Sequence, residues 1–254
     1  MTALLEVEGV SVRFGGLAAL TDVRLQVERG SIVGLIGPNG AGKTTLLNVI
    51  SGLQQAQAGS IRFDGREIAR MPAYRRAQLG VRRSFQNLGL MQAETVATNL
   101  LAAQHVDAGY NGADLVVRPL RWLRGERRLR TQAHAATAPF QLGRLHDRPV
   151  TDLSFGAARF VELSAVLVQR PPLLLLDEPT TGLDLAETAR LLTALRTARE
   201  DGTTILLIAH DVQFVMELCD AVSVLAEGRV IAEGEPEAVQ SSPPVIEAYL
   251  GRTA

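Results

Sequence analysis

The amino-acid sequence predicts an α/β protein with a largely parallel sheet, and three observations support that prediction. The first third is rich in short strand-like runs, one of which leads through a glycine-rich loop into a helix. After residue 150, apolar strands alternate with helical segments, as is typical of parallel sheets. Between these parts, residues 94–150 contain no strand-like run and are rich in Ala, Leu and Arg. We therefore expect one domain over residues 1–254, with a core of 1–93 and 151–254 and a helical insert of 94–150.

The individual elements follow from apolar runs and from the turn residues between them. In the first third, the predicted strands are Leu4–Glu8, Val23–Glu28, Ser31–Ile36 and Ile61–Phe63, and the predicted helix is Thr44–Ser51. After the insert, the predicted strands are Leu173–Leu176 and Thr203–Ile208, and the predicted helices are Phe155–Gln169, Ala186–Glu200, Val212–Leu218 and Pro244–Leu250. A hairpin of Ala221–Leu225 and Arg229–Ala232 is predicted around the turn Glu227-Gly228.

The composition narrows the class of protein. Of the 254 residues, 46% are apolar, which is enough for a substantial core. The formal net charge is −1, so nothing indicates a nucleic-acid-binding protein driven by bulk positive charge. The apolar runs fall far short of the roughly 20 residues that span a bilayer, and the N-terminus shows no basic secretion signal. Cys219 is the only cysteine, which excludes an intrachain disulfide framework and fits a cytoplasmic location.

A phosphate-binding loop is predicted between the strand Ser31–Ile36 and the helix that follows it. The pattern G-x-x-x-x-G-K-[ST] is fitted by Gly37, Pro38, Asn39, Gly40, Ala41, Gly42, Lys43 and Thr44, with Thr45 directly after them. In this pattern glycines let backbone N–H groups surround phosphate oxygens, the lysine reaches the β- and γ-phosphates, and the hydroxyl holds Mg²⁺. A plain glycine turn is the alternative. Because Lys43 is the only lysine of the chain and stands at the required position, the sequence favours a nucleotide site.

Two acidic residues complete the predicted nucleotide site. Asp177 and Glu178 directly follow the apolar strand Leu173–Leu176. In open α/β sheets, ligands bind at the carboxyl ends of the strands, where these side chains are expected to lie. Asp177 suits the shell of a Mg²⁺ ion, and Glu178 suits a general base that orients the attacking water. On its own this pattern is a weak signal, but it becomes specific beside a phosphate-binding loop.

With these motifs in this order, the chain resembles the nucleotide-binding subunit of an ATP-binding cassette (ABC) transporter over nearly its whole length. Gln86 resembles the glutamine of the family's Q-loop, and Leu153-Ser154-Phe155-Gly156 resembles its signature loop. Gly182-Leu183-Asp184 is similar to the D-loop, and His210 to the switch histidine. Phe14 stands where the family places an aromatic ring against adenine. Taken singly, an aromatic residue is more often part of a core and a serine more often a helix N-cap, so the joint order carries the resemblance.

The resemblance implies a fold, cofactors and site residues. The fold would be a P-loop NTPase of the ABC cassette type, with an N-terminal antiparallel β subdomain and an inserted α-helical subdomain. The cofactors would be ATP and Mg²⁺. Catalysis would use Glu178, His210, Gln86 and Lys43, and the metal ion would be held by Thr44, Gln86 and Asp177. The nucleotide would contact Phe14, every residue from Gly37 to Thr45, and Ser154 and Gly156.

The resemblance also implies a dimer of ATPase subunits. Each ATP would lie between the phosphate-binding loop of one chain and the signature loop of the other, and Gln86 would relay the nucleotide state to the helical subdomain. The chain departs from the family at Ala157, where a glutamine usually follows the signature glycine. This departure favours pairing with a homologous ATPase whose signature loop is complete, although a second copy of this chain is the alternative.

The subfamily is indicated by segments outside the nucleotide site. Residues 13–20, 83–87, 230–234 and 245–251 are similar to ATPases of branched-chain amino acid importers, and urea and amide importers of the same branch look much the same. The expected partners are polytopic permease subunits and, indirectly, an external solute-binding protein, but no nucleic acid. The expected location is peripheral, on the cytoplasmic face of the inner membrane. The alternatives are the ATPase of a lipid or polysaccharide exporter and a non-transport ABC ATPase acting in DNA repair or translation.

An arginine-rich segment at 118–130 surrounds the only tryptophan, Trp122. Its six arginines fit either a solvated basic face or a contact with anionic lipid headgroups beside a membrane subunit. Because Pro119 and Gly125 are expected to break a long amphipathic helix, the solvated face is favoured.

Overall fold

The computed structural model describes residues 3–84, 89–104, 117 and 119–250, and the structural statements below refer to these residues. The chain divides into two compact units. Unit 1 consists of Met1–Arg83, Pro171–Thr180 and Arg199–Ala254, and unit 2 consists of Ser84–Arg170 and Thr181–Ala198.

The described part of the chain contains strands and helices in the alternating order that the sequence predicts. The strands are β1 (Ala3–Phe14), β2 (Leu17–Glu28), β3 (Ile32–Ile36), β4 (Ala58–Phe63), β5 (Arg66–Glu67), β6 (Val81–Arg83), β7 (Leu173–Asp177), β8 (Thr204–Ile208), β9 (Ala221–Ala226) and β10 (Arg229–Gly234). The helices are α1 (Lys43–Ser51), α2 (Ala73–Leu79), α3 (Val96–Gln104), α4 (Pro119–Thr137), α5 (Phe155–Leu167), α6 (Leu185–Glu200), α7 (Val212–Leu218), α8 (Pro236–Gln240) and α9 (Pro243–Leu250).

Unit 1 contains an antiparallel sheet with the strand order β2-β1-β4-β5. Strands β1 and β2 are longer than predicted, because Val10, Val12 and Leu20 are also buried and extend the pairing beyond the short runs used for prediction. The inner face of this sheet belongs to one hydrophobic core together with α1 and the strands β3, β7 and β8. The predicted N-terminal antiparallel subdomain is therefore confirmed.

The second sheet of unit 1 has the order β10-β9-β3-β8-β7-β6. The strands from β9 to β6 are parallel, and β10 closes the sheet antiparallel to β9, as the predicted hairpin requires. All five residues are buried in each of β3, β7 and β8, as expected for strands covered on both faces. Because these three strands are parallel neighbours, the loops at their carboxyl ends lie side by side.

Unit 2 is mainly helical. Helices α3, α4 and α5 pack against one another, and the rings of Phe140 and Phe160 stack with centroids 4.7 Å apart. Short 3₁₀ turns at Ala138–Phe140, Gly143–Leu145 and Val150–Asp152 connect α4 to α5. Because α5 contributes to this core, unit 2 extends beyond the predicted insert of residues 94–150 and includes the helix of the signature loop.

The expectation that Pro119 and Gly125 break a long helix in the arginine-rich segment is wrong. Helix α4 runs unbroken from Pro119 to Thr137 and includes Gly125. Proline is tolerated here because it occupies the first turn of a helix, where its missing N–H has no intrahelical partner. Leu129 and Ala133 are buried, whereas Arg124, Arg127, Arg128 and Arg130 are exposed. Among the described residues, no helix combines the length and apolar character that a transmembrane span requires.

Candidate functional site

The predicted phosphate-binding loop connects β3 to α1, as the motif requires. Gly37 and Gly42 have positive φ angles of 149° and 105°, and neither position has room for a side chain. A Cβ on Gly37 would overlap the carbonyl oxygen of Leu225, and a Cβ on Gly42 would lie 2.5 Å from the carbonyl oxygen of Ala19. These two glycines therefore combine a left-handed backbone with close backbone packing, which together fix the path of the loop.

The Lys43 side chain lies under this loop. It is only 7% exposed, and its Nζ donates hydrogen bonds to the carbonyl oxygens of Gly37 at 2.7 Å and Pro38 at 3.0 Å. Burial lowers the pKa of Lys43, and the nearby carboxylates of Glu178 and Asp177 act in the opposite direction. The ammonium group is thus held inside the loop, next to the two acidic side chains at the end of β7.

Asp177 is the last residue of β7 and is 2% exposed. Its Oδ2 accepts a hydrogen bond from Arg83 Nη2 at 2.9 Å. Its Oδ1 is buried and has no hydrogen-bond partner among the described residues. A buried carboxylate oxygen without a partner is costly, and such an oxygen is a hard ligand of the kind that Mg²⁺ prefers. Thr44 lies exposed in the first turn of α1 and provides a hydroxyl of the same character.

Glu178 and His210 form a pair at the ends of β7 and β8. His210 Nε2 lies 2.8 Å from Glu178 Oε1. Glu178 is a non-glycine residue with a φ of 49°, and its backbone N–H donates to the carbonyl oxygen of Ile208 at 2.9 Å. Backbone strain of this kind costs energy and is concentrated at functional sites, where neighbouring structure holds it in place. Both side chains remain partly accessible, so a water molecule can reach the pair.

The structure places Phe14 at the tip of the β1–β2 hairpin. Its side chain is 50% exposed, so the alternative of an ordinary core residue is wrong. Thr45 is half-buried in the first turn of α1. An exposed ring in unit 1 provides a flat apolar surface of the kind that can stack on a base.

The signature loop lies at the start of α5 in unit 2. Ser154 is the N-cap of this helix, and its Oγ accepts a hydrogen bond from the N–H of Ala157 at 3.2 Å. Gly156 is buried, and a Cβ there would overlap the carboxylate of Glu187. Glu187 exchanges hydrogen bonds with Asp184, at 3.1 Å and 2.7 Å, in the arrangement of a capping box. The carboxylate of Glu187 therefore lies close to Gly156 of the signature loop and accepts a hydrogen bond from Asp184 of the D-loop.

Among the predicted site residues, the structure brings together Lys43, Asp177, Glu178 and His210 in unit 1. Gln86 lies outside the described residues. Sequence reasoning did not identify two further residues. Arg83 lacked any local signal, whereas Glu187 could have been found from the pattern Asp184-x-x-Glu187 at the start of a helix.

A nucleotide-binding cassette is the class of protein that this fold and this site define. The chain belongs to the ATP-binding cassette transporter family, because residues 20–181 match the family model described as "ABC transporter". Members of this family hydrolyse ATP to power transport, and their ATP-binding subunits dimerise and work with membrane permease subunits. Residues 229–254 match a second model, "Branched-chain amino acid ATP-binding cassette transporter".

Curated relatives cover almost the whole chain. The high-affinity branched-chain amino acid transport ATP-binding protein BraF of Pseudomonas aeruginosa is 39% identical over 249 residues, covering 98% of each chain. LivG of Escherichia coli, which has the same description, is 38% identical over 253 residues, again with 98% of each chain covered. A solved ATP-binding cassette in its ADP conformation matches with a TM-score of 0.84 and 28% identity, covering 99% of this chain and 100% of the other. These matches confirm the predicted fold class.

Proposed function

We propose that this chain is the ATP-hydrolysing subunit of an importer for branched-chain or other hydrophobic amino acids, or for a related small solute such as urea or an amide. The observation that carries the proposal is the convergence of Lys43, Asp177, Glu178 and His210 at the carboxyl ends of three adjacent strands. The substrate class is supported by the family match at residues 229–254 and by the names of the relatives.

Each residue of the proposed ATP site has a distinct role. Lys43 binds the β- and γ-phosphates together with the backbone N–H groups of the loop, and Phe14 stacks on the adenine. Glu178 accepts a proton from the attacking water, and His210 orients the Glu178 carboxylate through their hydrogen bond. Thr44 and Asp177 hold a Mg²⁺ ion, with Gln86 as a third candidate. When bound, the ion supplies charge neutralisation on the transferring phosphoryl group.

Each complete site needs a second ATPase subunit. Ser154 and Gly156 of one chain close over the ATP on the partner's phosphate-binding loop, with the N-terminus of α5 directed at the γ-phosphate. Ala157 offers neither donor nor acceptor in its side chain, so the site built with this signature loop lacks one hydrogen bond to a charged group. We expect the partner to be a homologous ATPase with a complete signature loop, and the two sites to be unequal.

The proposed setting is the cytoplasmic face of the plasma membrane. The chain binds there as a peripheral subunit to polytopic permease subunits, which receive the solute from an external binding protein. Membership in a transporter complex is supported by a solved cassette from Clostridium perfringens that is described as part of an ABC transporter complex, with a TM-score of 0.81 and 28% identity, covering 100% of this chain and 96% of the other.

The proposal is tested by transport in proteoliposomes that contain this chain, its permease subunits and its partner ATPase. We expect ATP-dependent uptake of radiolabelled leucine, or of urea, when the loaded binding protein is present. A complex that hydrolyses ATP without any solute uptake, and instead exports lipid, would refute the importer assignment.

The inequality of the two sites is tested by the substitution Ala157→Gln, which supplies the missing amide side chain. It should raise turnover of the slower site about tenfold or more, because that factor corresponds to one hydrogen bond to a charged group.

A further inference from the structure

Only one of the two carboxylate oxygens of Asp177 has a hydrogen-bond partner among the described residues. Arg83 Nη2 binds Oδ2 at 2.9 Å, whereas Oδ1 has no hydrogen-bond partner among the described residues. The ion pair is almost fully enclosed, with side-chain exposures of 9% for Arg83 and 2% for Asp177. The ion pair therefore restrains the carboxylate, and its second oxygen, although buried, has an unused capacity to accept a ligand.

The guanidinium group is itself held from a second direction. Arg83 Nη1 donates hydrogen bonds to Asn48 Oδ1 and, at 3.4 Å, to Ser51 Oγ, and both of these residues belong to α1. Helix α1 begins with Lys43 and Thr44. Arg83 thus connects the carboxylate at the end of β7 to the helix that follows the phosphate-binding loop. The planar guanidinium group can bind two separate partners in fixed directions. The ammonium group of a lysine, on its flexible side chain, cannot do the same.

We propose that Arg83 is a positioning residue for the metal ion of the bound nucleotide. It holds Asp177 Oδ2 so that Oδ1 is directed at the ion, and it fixes that direction relative to Thr44 through α1. This inference rests on the proposed Mg²⁺·ATP site. Residues that orient a metal ligand are typically worth 10–100-fold in metal affinity, so their loss is measurable apart from turnover.

The direction in which metal affinity changes when Arg83 is substituted distinguishes a positioning role from a purely electrostatic one. The guanidinium carries a positive charge, which by itself repels a divalent cation, so removing it would strengthen metal binding if charge alone mattered. Loss of positioning weakens metal binding instead. A purely structural role would change stability but leave the metal affinity of the folded protein unaltered.

The test is titration of Mn²⁺, followed by electron paramagnetic resonance, in the presence of a non-hydrolysable ATP analogue. Arg83→Met should weaken Mn²⁺ binding at least tenfold, and Arg83→Lys should weaken it less. Arg82→Met is the matched control, because it removes the same charge from the neighbouring residue of β6, whose side chain points to the opposite face. If Arg83→Met does not fold, Asn48→Ala removes one anchor of the guanidinium and should also weaken Mn²⁺ binding.

Unchanged or tighter Mn²⁺ binding in the Arg83 variants, or an equal loss in Arg82→Met, would overturn the inference. Binding of the analogue in the presence of EDTA serves as a reference, because it depends on the phosphate-binding loop and should be equal in all variants. If the unsubstituted protein bound no analogue at all, the proposed ATP site would be wrong. The failure of the two proposals can therefore be told apart.

Discussion

Arg76 provides a direct test of how α1 is stabilised, because it is a buried arginine to which no carboxylate of the described residues hydrogen-bonds. It is 1% exposed, and its guanidinium donates to four backbone carbonyl oxygens. Nη1 binds those of Val49 and Ile50 in the last turn of α1, at 2.6 Å and 2.9 Å. Nη2 and Nε bind those of Ala69 and Met71, at 2.8 Å and 2.9 Å. Burial lowers the pKa of Arg76, but the carbonyl groups replace the lost hydration.

Arg76→Met should destabilise the protein by about 3 kcal/mol. The substitution leaves the buried carbonyl group of Ile50 without this donor, at roughly 1–3 kcal/mol, and it removes the same donor from the partly buried carbonyl groups of Ala69 and Met71. The carbonyl group of Val49 keeps a hydrogen bond from the N–H of Gly52. Relief of the buried charge offsets part of that cost. For a chain of this length, about 3 kcal/mol corresponds to a fall of the melting temperature by roughly 6–12 °C.

The assay is urea unfolding followed by circular dichroism, compared with Arg75→Met as the matched control. Arg75 is fully exposed and lies one position earlier in the same helix, so its substitution should leave the unfolding midpoint unchanged. Arg76→Lys should recover only part of the loss, because one ammonium cannot reach four carbonyl oxygens. Equal midpoints for Arg76→Met and Arg75→Met would refute the argument that the guanidinium stabilises the end of α1.

Three further predictions concern the site and its surroundings. Glu178→Gln should preserve ATP binding and lower turnover by about 10²–10⁴-fold in a phosphate-release assay, because the amide cannot accept the proton. Unchanged turnover would exclude Glu178 as the general base. Because Lys43 is 7% exposed, an amine-reactive label should reach it slowly without nucleotide and more slowly still with ATP and Mg²⁺, as read by mass spectrometry after increasing labelling times. Measurable labelling at the same rate with and without nucleotide would contradict its place under the phosphates. Burial raises the pKa of Cys219 to about 12, whereas an unfolded thiol titrates near 8.5. Between these values the unfolded state has lost a proton that the native state keeps, so the free energy of unfolding should fall as pH rises above about 9, by up to roughly 1.4 kcal/mol per pH unit. The same urea titrations on Cys219→Ala should show a shallower fall, and identical slopes would refute the assignment.

Local motifs could be predicted from the sequence because they carry their own geometry. The loop Gly37–Thr44 needs a strand before it and a helix after it, and both were found within one residue of their predicted bounds. The strand of four leucines ending in Asp177 was equally clear, because a short apolar run followed by acidic residues is typical of a buried strand that ends at a ligand site. These features depend on neighbours in the sequence, so the sequence alone was sufficient.

Contacts between distant segments could not be predicted in this way. Arg83 and Asp177 are 94 positions apart, and no local pattern indicates that one binds the other. The close approach of Glu187 to Gly156 is likewise visible only when two helices of unit 2 are placed in space. Helix α4 was misjudged for another reason, since the rule that proline breaks helices does not apply in the first turn.

The strand order of the parallel sheet has a consequence for biosynthesis. Strand β3 is made early, but both of its hydrogen-bonding neighbours, β8 and β9, belong to the last quarter of the chain. Until β8 and β9 have been synthesised, neither edge of the apolar strand β3 has its hydrogen-bonding partner. Unpaired strand edges are a known route to aggregation. A nascent chain that ends before Thr204 therefore carries the complete phosphate-binding loop on a strand that neither β8 nor β9 yet pairs with. We expect such fragments to aggregate, and nucleotide binding to emerge only when synthesis is nearly finished.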